Sequence, residues 1–260
     1  MAIIDSFIDS SLVAWVVLSC VFIIAYLHKQ RFDLIDSAWG LMFVAIAWYN
    51  FFAAGTRSLS GGIMAGMVSI WGVRLSTHIF RRWIYSPAED ARYAALRRNW
   101  PSHLIVPQTY IRIYLVQIIL GCIISLPVII YMRNQSAIDA WNLIGATIWL
   151  VGISIEATAD RQLAQHIRHS KESSLMTKGL WRYSRHPNYF GELLLWWGIA
   201  IFAIGAPFGW LGLIGALAIT LLLLFVSGVP LAEKRTALRP GWQAYASRTS
   251  VIVPWPPRHT

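Results

Sequence analysis

Seven stretches of the 260-residue sequence are apolar over about 18 residues or more with few charges, the length a helix needs to cross a bilayer. They run roughly over 11–28, 36–55, 61–80, 109–131, 139–158, 188–204 and 209–231. A soluble domain of this size would carry about 25% charged residues; here the figure is 13%, and tryptophan occurs 14 times. The pattern predicts an all-α, polytopic integral membrane protein of about seven transmembrane helices. No repeat, low-complexity tract or linker interrupts it, so residues 1–260 read as one membrane domain. The opening MAIIDSFIDSS has Asp5 and Asp9 but no Lys or Arg. That differs from the basic start of a cleaved signal peptide, and the first apolar run is expected to stay as a span.

The loop charges set an orientation. With the N-terminus outside, all but four (Arg57, Arg74, Arg112, Arg133) of the 22 basic residues fall in inner loops or the inner carboxy-terminal segment. This asymmetry is the positive-inside pattern and places the carboxy-terminal end in the cytoplasm. It also accounts for the net charge of +10. The basic residues follow topology instead of gathering on one helix, so no nucleic-acid partner is expected. Cys20 and Cys122 lie within spans and read as apolar filler.

Charged groups in spans are costly and point to function. Asp36, Arg74, His78, Glu156, Asp160 and Glu192 all fall at the inner ends of their helices, which suggests one site opening towards the cytoplasm. Asp36 alone would be an ordinary first-turn acid. Arg74, His78 and Arg82 recur every fourth residue on one helix face. Glu156 and Asp160 are also one turn apart; they read either as a structural ion network or as acceptors for ribose or amide groups. In LWRYSRHPNYFGELLLWWG, Pro187 suits the first turn of a helix because its missing N–H is not needed there. Asn188, Glu192 and Trp196 then share a face.

No GxGxxG or GxxxxGK[ST] motif is present, so any nucleotide phosphate has to be held by side chains such as Arg182, Arg185, Arg235 and Arg248. No HExxH, paired CxxC or metal-ligand spacing of histidines occurs, and no metal is expected. Gly209, Gly212 and Gly215 read as close helix packing. The last segment, AEKRTALRPGWQAYASRTSVIVPWPP, either folds back over the site with Glu233, Arg235, Tyr245 and Arg248, or lies at the interface anchored by Trp242 and Trp255.

The stretches GLWRYSRHPNYFGELLLWWG, EATADRQLAQH and AEKRT…PGWQAYASRTS…VPW, with FDLIDSAWG and WGVRLSTHIFRRW, together resemble the steroid 5α-reductase-like membrane superfamily. The resemblance is closest to its bacterial branch built on a domain of unknown function (DUF1295-type). Isoprenylcysteine carboxyl methyltransferases and sterol C14 reductases share the outline. It implies a bacterial inner-membrane enzyme whose 1–135 helices face the substrate and whose 136–260 half holds NADPH from the cytoplasmic side. Glu156 and Asp160 would be polar cofactor contacts, and Asn188 and Glu192 the nicotinamide-side pair, with Trp196 one turn deeper. Arg185, Arg235 and Tyr245 would face adenosine and phosphates, alongside Arg182, His186, Tyr189 and Arg248.

The expected reaction is NADPH-dependent reduction of a conjugated C=C bond in a hydrophobic, steroid-like or other lipid enone. A donor would polarise the substrate carbonyl. The Gln-Glu pair and Tyr that do this in steroid 5α-reductases are not found here, and His78 or Tyr49 is the candidate. The alternative is a membrane methyltransferase using S-adenosylmethionine.

Overall fold

The computed structural model describes residues 2–28, 31–86, 88–135, 137–169 and 174–258. Lys29 and Lys171, two of the loop cations counted above, and His259 lie outside them. Apart from one isolated bridge between Ser184 and Ser250, the regular structure among the described residues is helical. Six segments are long and apolar enough to cross a membrane: Ile3–Leu27, Leu34–Ala53, Leu59–Tyr85, Ser102–Ile124, Ala140–His169 and Gly209–Thr236. The remaining expected span is the helix Pro187–Ala203, of 17 residues. Their outward apolar side chains, Ile4, Trp15, Leu59, Leu143, Leu150 and Phe225 among them, are exposed, which fits an integral membrane protein in contact with lipid. The chain forms two compact units, Met1–Asp139 with Ala203–Gly215, and Ala140–Phe202 with Ala216–Thr260.

The first unit is built on α1 (Ala2–Leu27), α2 (Leu34–Ala53) and α3 (Leu59–Tyr85). Helices α2 and α3 cross at Gly40 and Gly72, where a Cβ on either glycine would strike the other's carbonyl. The missing side chains allow backbone contact, which substitutes for a hydrophobic driving force in lipid. Trp48 Nε1 donates to Ser69 Oγ at 2.9 Å, and Asn50 ties α2 to α1 by donating to Ser10 Oγ at 2.8 Å.

The expected fourth span is not one rod. After α4 (Ala91–Arg97) and α5 (Ile105–Thr109), residues 109–131 run through a π-helical turn Tyr110–Leu115, α6 (Val116–Ile124) and α7 (Leu126–Arg133). The break at Ser125 has a cause in the sequence. Pro127 sits in the first turn of α7, where it has no N–H to continue the ladder from α6. The break is sealed by packing: Gly212 and Gly215 lie against Pro127 and Ile124 so closely that a Cβ would clash. The packing role expected of these glycines is therefore seen, although Gly209–Gly212 is a 3-10 turn and not part of a long helix.

At the α2 start of this unit an ionic cluster straps α4 down. Asp36 accepts from Arg92 and from the Tyr93 hydroxyl, both at 2.6 Å. Asp33 accepts from Arg31, from Trp83 Nε1 and from the Asp90 backbone, each at 3.0 Å. Arg97 pairs with Glu89. Burial raises the Glu89 pKa, while the Arg97 charge opposes that rise.

Candidate functional site

The second unit places most of the sequence-expected cofactor residues together. Helix α8 (Ala140–His169) has 30 residues, about 45 Å, so it projects well beyond a hydrocarbon core of about 30 Å. Helix α9 (Pro187–Ala203) runs antiparallel against it. Four glycines set the approach. A Cβ on Gly198 would lie 2.6 Å from the Trp149 nitrogen, and one on Gly191 2.6 Å from the Glu156 nitrogen. On the other side, a Cβ on Gly152 would meet the Leu195 nitrogen at 2.5 Å, and one on Gly145 would strike Phe202. Facing positions thus step regularly, from Gly145–Phe202 through Trp149–Gly198 and Gly152–Leu195 to Glu156–Gly191 and Asp160–Asn188.

The polar groups sit at one end of this seam. Asn188 Nδ2 donates to Asp160 Oδ1 at 3.3 Å. Glu156 is buried, with 3% of its surface exposed, and its backbone abuts Gly191. Glu192 is half-buried one turn after Asn188, and Trp196, one turn further, is fully buried. Asn188 Oδ1 is buried with no hydrogen-bond partner among the described residues. It is an acceptor at the mouth of a carboxylate cluster, with capacity for one further N–H. The residues fit a nicotinamide and its ribose in kind: a carboxamide needs one donor and one acceptor, and hydroxyls need carboxylate acceptors.

The entry to α9 is held by the carboxy-terminal segment, so the expected fold-back is seen. Helices α10 (Leu213–Leu221), α11 (Val229–Thr236) and α12 (Trp242–Arg248) complete the chain, with a π turn Leu222–Val226 after α10. The Arg185 backbone donates to Ser250 O at 2.8 Å and Trp255 to Tyr183 O at 2.9 Å. Ser184 Oγ donates to Ile252 O at 2.7 Å and accepts from the His186 backbone. Tyr245, expected at the adenosine, gives its hydroxyl to Trp181 O at 2.6 Å. It is buried, which pushes its pKa up, and it works as a clasp between α12 and the turn before α9.

Glu233 on α11, expected to fold back over the site with the carboxy-terminal segment, joins the first two residues of RHP. Its carboxylate lies 2.9 Å from Arg185 Nε and 3.3 Å from His186 Nε2. Arg185 also donates to Ala246 O at 2.9 Å and covers the Trp242 ring. His186 is buried and stacks on Tyr189 with centroids 5.4 Å apart. Burial lowers the His186 pKa below the ordinary histidine value; the Glu233 bond partly offsets this, and Arg185 adds to the lowering. Arg182, Arg235 and Arg248 are exposed. Arg182 covers the Tyr183 ring, and Arg248 donates to Ala244 O.

The carbonyl-polarising candidates belong to the first unit. His78 is exposed on α3, whereas the Tyr49 hydroxyl hydrogen-bonds to Asp9. Tyr49 adjoins Trp48, which contacts Ser69; from Ser69, His78 is about 13 Å further along α3. The two candidates are therefore far apart in depth. No group of three or more potential metal-ligating side chains occurs among the described residues.

Residues 21–249 match the family model described as a protein of unknown function (DUF1295). The chain belongs to the DUF1295 family. The match takes in the whole α8–α9 seam and Glu233. An uncharacterized protein of Schizosaccharomyces pombe is 26% identical over 223 residues, covering 74% of this chain and 62% of the yeast protein. The DUF1295 chain thus spans less than two thirds of that relative's length. No solved structure matches it.

Proposed function

We propose that this protein is an NADPH-dependent reductase of a conjugated C=C bond in a membrane lipid, with its cofactor site facing the cytoplasm. The observation that carries the reading is the Glu156, Asp160, Asn188 and Glu192 cluster at the end of the glycine-packed α8–α9 seam. The resemblance to the steroid 5α-reductase-like superfamily supports the same assignment. NADPH, when bound, supplies a hydride equivalent to the electrophilic carbon of an enone. Asn188 Oδ1 accepts an N–H of the carboxamide; Asp160 holds the Asn188 amide in that orientation. Glu156 and Glu192 accept ribose or amide donors, and the burial of Glu156 excludes competing water there.

Arg182, Arg235 and Arg248 keep guanidinium surface for phosphate oxygens. Arg185 does not need to leave its place to help: with Glu233, it fixes the position of α9. His78 remains the donor to the substrate carbonyl, because Tyr49 already donates to Asp9. Reduction also needs one proton at the α-carbon, which an imidazole can deliver. The aliphatic and aromatic outer surfaces suit a hydrophobic substrate entering from the bilayer.

One observation favours a second reading, an S-adenosylmethionine-dependent methyltransferase. Arg185, three residues before Asn188, is engaged by Glu233, which leaves the deep end rich in carboxylate, a setting that also suits a sulfonium and an ammonium. Titrating the purified full chain in detergent with NADPH, NADH and S-adenosylmethionine, by tryptophan fluorescence, separates the two. NADPH is expected to bind in the micromolar range and S-adenosylmethionine not at all; the opposite order makes the protein a methyltransferase.

A further inference from the structure

The first unit carries a groove that the reductase reading does not use. It has a volume of about 280 Å³ and is lined by Asp9, Leu12, Val13, Val16, Val17 and Tyr49. The five α1 residues recur at helical spacing and form one face, and the groove extends along it for about 12 Å. Leu12, Val16 and Tyr49 are exposed, on a helix whose outward side chains face lipid. One end is polar and the rest is hydrocarbon.

That end holds a charge without a matching cation on its own helix: Asp5 and Asp9 are the charged residues of α1. Tyr49 donates one hydrogen bond to Asp9. A carboxylate offers about four lone-pair sites, and an ionised carboxylate in a span is costly until it is paired. A ligand ammonium provides both charge and donors. A primary ammonium supplies three N–H groups, whereas a quaternary one supplies none. The Tyr49 ring adds a face that attracts a cation. The aliphatic strip from Leu12 to Val17 matches the first part of an acyl chain.

We propose that this groove binds a membrane lipid with a primary ammonium headgroup, its nitrogen on the Asp9 carboxylate and one chain along Val13, Val16 and Val17. Its five α1 residues precede residue 21, where the DUF1295 match starts, and Tyr49 lies within the match; the proposal stands or falls apart from the reductase reading.

The test uses the full chain reconstituted in nanodiscs containing phosphatidylcholine, phosphatidylethanolamine and phosphatidylglycerol in about equal amounts. Lipids retained on release are then counted by native mass spectrometry. Wild type is expected to retain phosphatidylethanolamine over the other two by roughly tenfold, the ratio for one charge-assisted hydrogen bond. Asp9→Asn removes that preference. Val16→Trp fills the groove without altering charge and also removes it, so the proposal remains testable if Asp9→Asn fails to fold. Retention that is equal across the three lipids, or unchanged in both variants, overturns it.

Discussion

His186 has the clearest pH signature outside the spans. Its pKa lies below the ordinary value near 6.5 because burial disfavours the imidazolium. In the interval between the folded and unfolded pKa values, the unfolded chain binds more protons, so stability rises with pH there. The contribution is complete above about pH 6.5 and is lost as the pH falls from that value towards the folded pKa. Thermal unfolding in detergent at about pH 7.5 and about pH 5.5, roughly one unit either side of 6.5, should show this loss, and His186→Gln should reduce the slope. An unchanged slope removes His186 from the account. Glu233 is the partner on which the Arg185 guanidinium and the His186 imidazole converge. Glu233→Gln leaves Arg185 with less charge compensation and should cost about 1–3 kcal/mol. The checking measurement is limited proteolysis, with faster cleavage expected near α12. RHP announced a helix start with cations before it, and that much was legible. The partner of those cations was not, because Glu233 lies 47 residues away in sequence and a salt bridge leaves no local pattern.

At the scale of elements, the α8–α9 seam depends on absent side chains. Gly191→Ala puts a Cβ against backbone, 2.6 Å from the Glu156 nitrogen, and no flexible side chain can yield. Overpacking of this kind costs about 1–3 kcal/mol, and thermal melting should fall accordingly. Gly62→Ala, in α3 with nothing within 4 Å of the new Cβ, should be neutral or stabilising by up to about 1 kcal/mol. A seam that tolerates both substitutions equally is not close-packed. The seven-residue spacing of Gly145 and Gly152, repeated by Gly191 and Gly198, was visible in the sequence. Which two helices it would join was not, since a small-residue stripe names no partner. The Asp36 cluster shows the same limit. Asp36 suited a helix start, but its contacts with Arg92 and Tyr93 follow from where the α4 strap returns. Asp36→Asn should lower stability by about 2 kcal/mol by weakening the Arg92 contact and altering that to Tyr93.

For the molecule as a whole, seven apolar stretches gave the class of fold, and the broken fourth span marks where hydropathy stops being informative. Pro127 reads as apolar while ending a helix. Helix α9 is the sensitive case for topology. Its 17 residues span about 25 Å, short of a hydrocarbon core of about 30 Å, and an amino-terminus outside with a carboxy-terminal segment inside requires it to cross. Single-cysteine labelling at Arg57 and at Arg258 in sealed vesicles should mark opposite faces; labelling on the same face means that α9 does not span. The central claim concerns what the amino-terminal end of that helix holds. Isothermal titration with NADPH is the most direct measurement of it, on wild type and on Asn188→Ala and Asp160→Asn. Micromolar affinity that weakens roughly tenfold to a hundredfold in each variant, about 1.4–2.8 kcal/mol, is the result expected of a cofactor site. NADPH affinity that is absent in wild type, or identical in all three proteins, contradicts it.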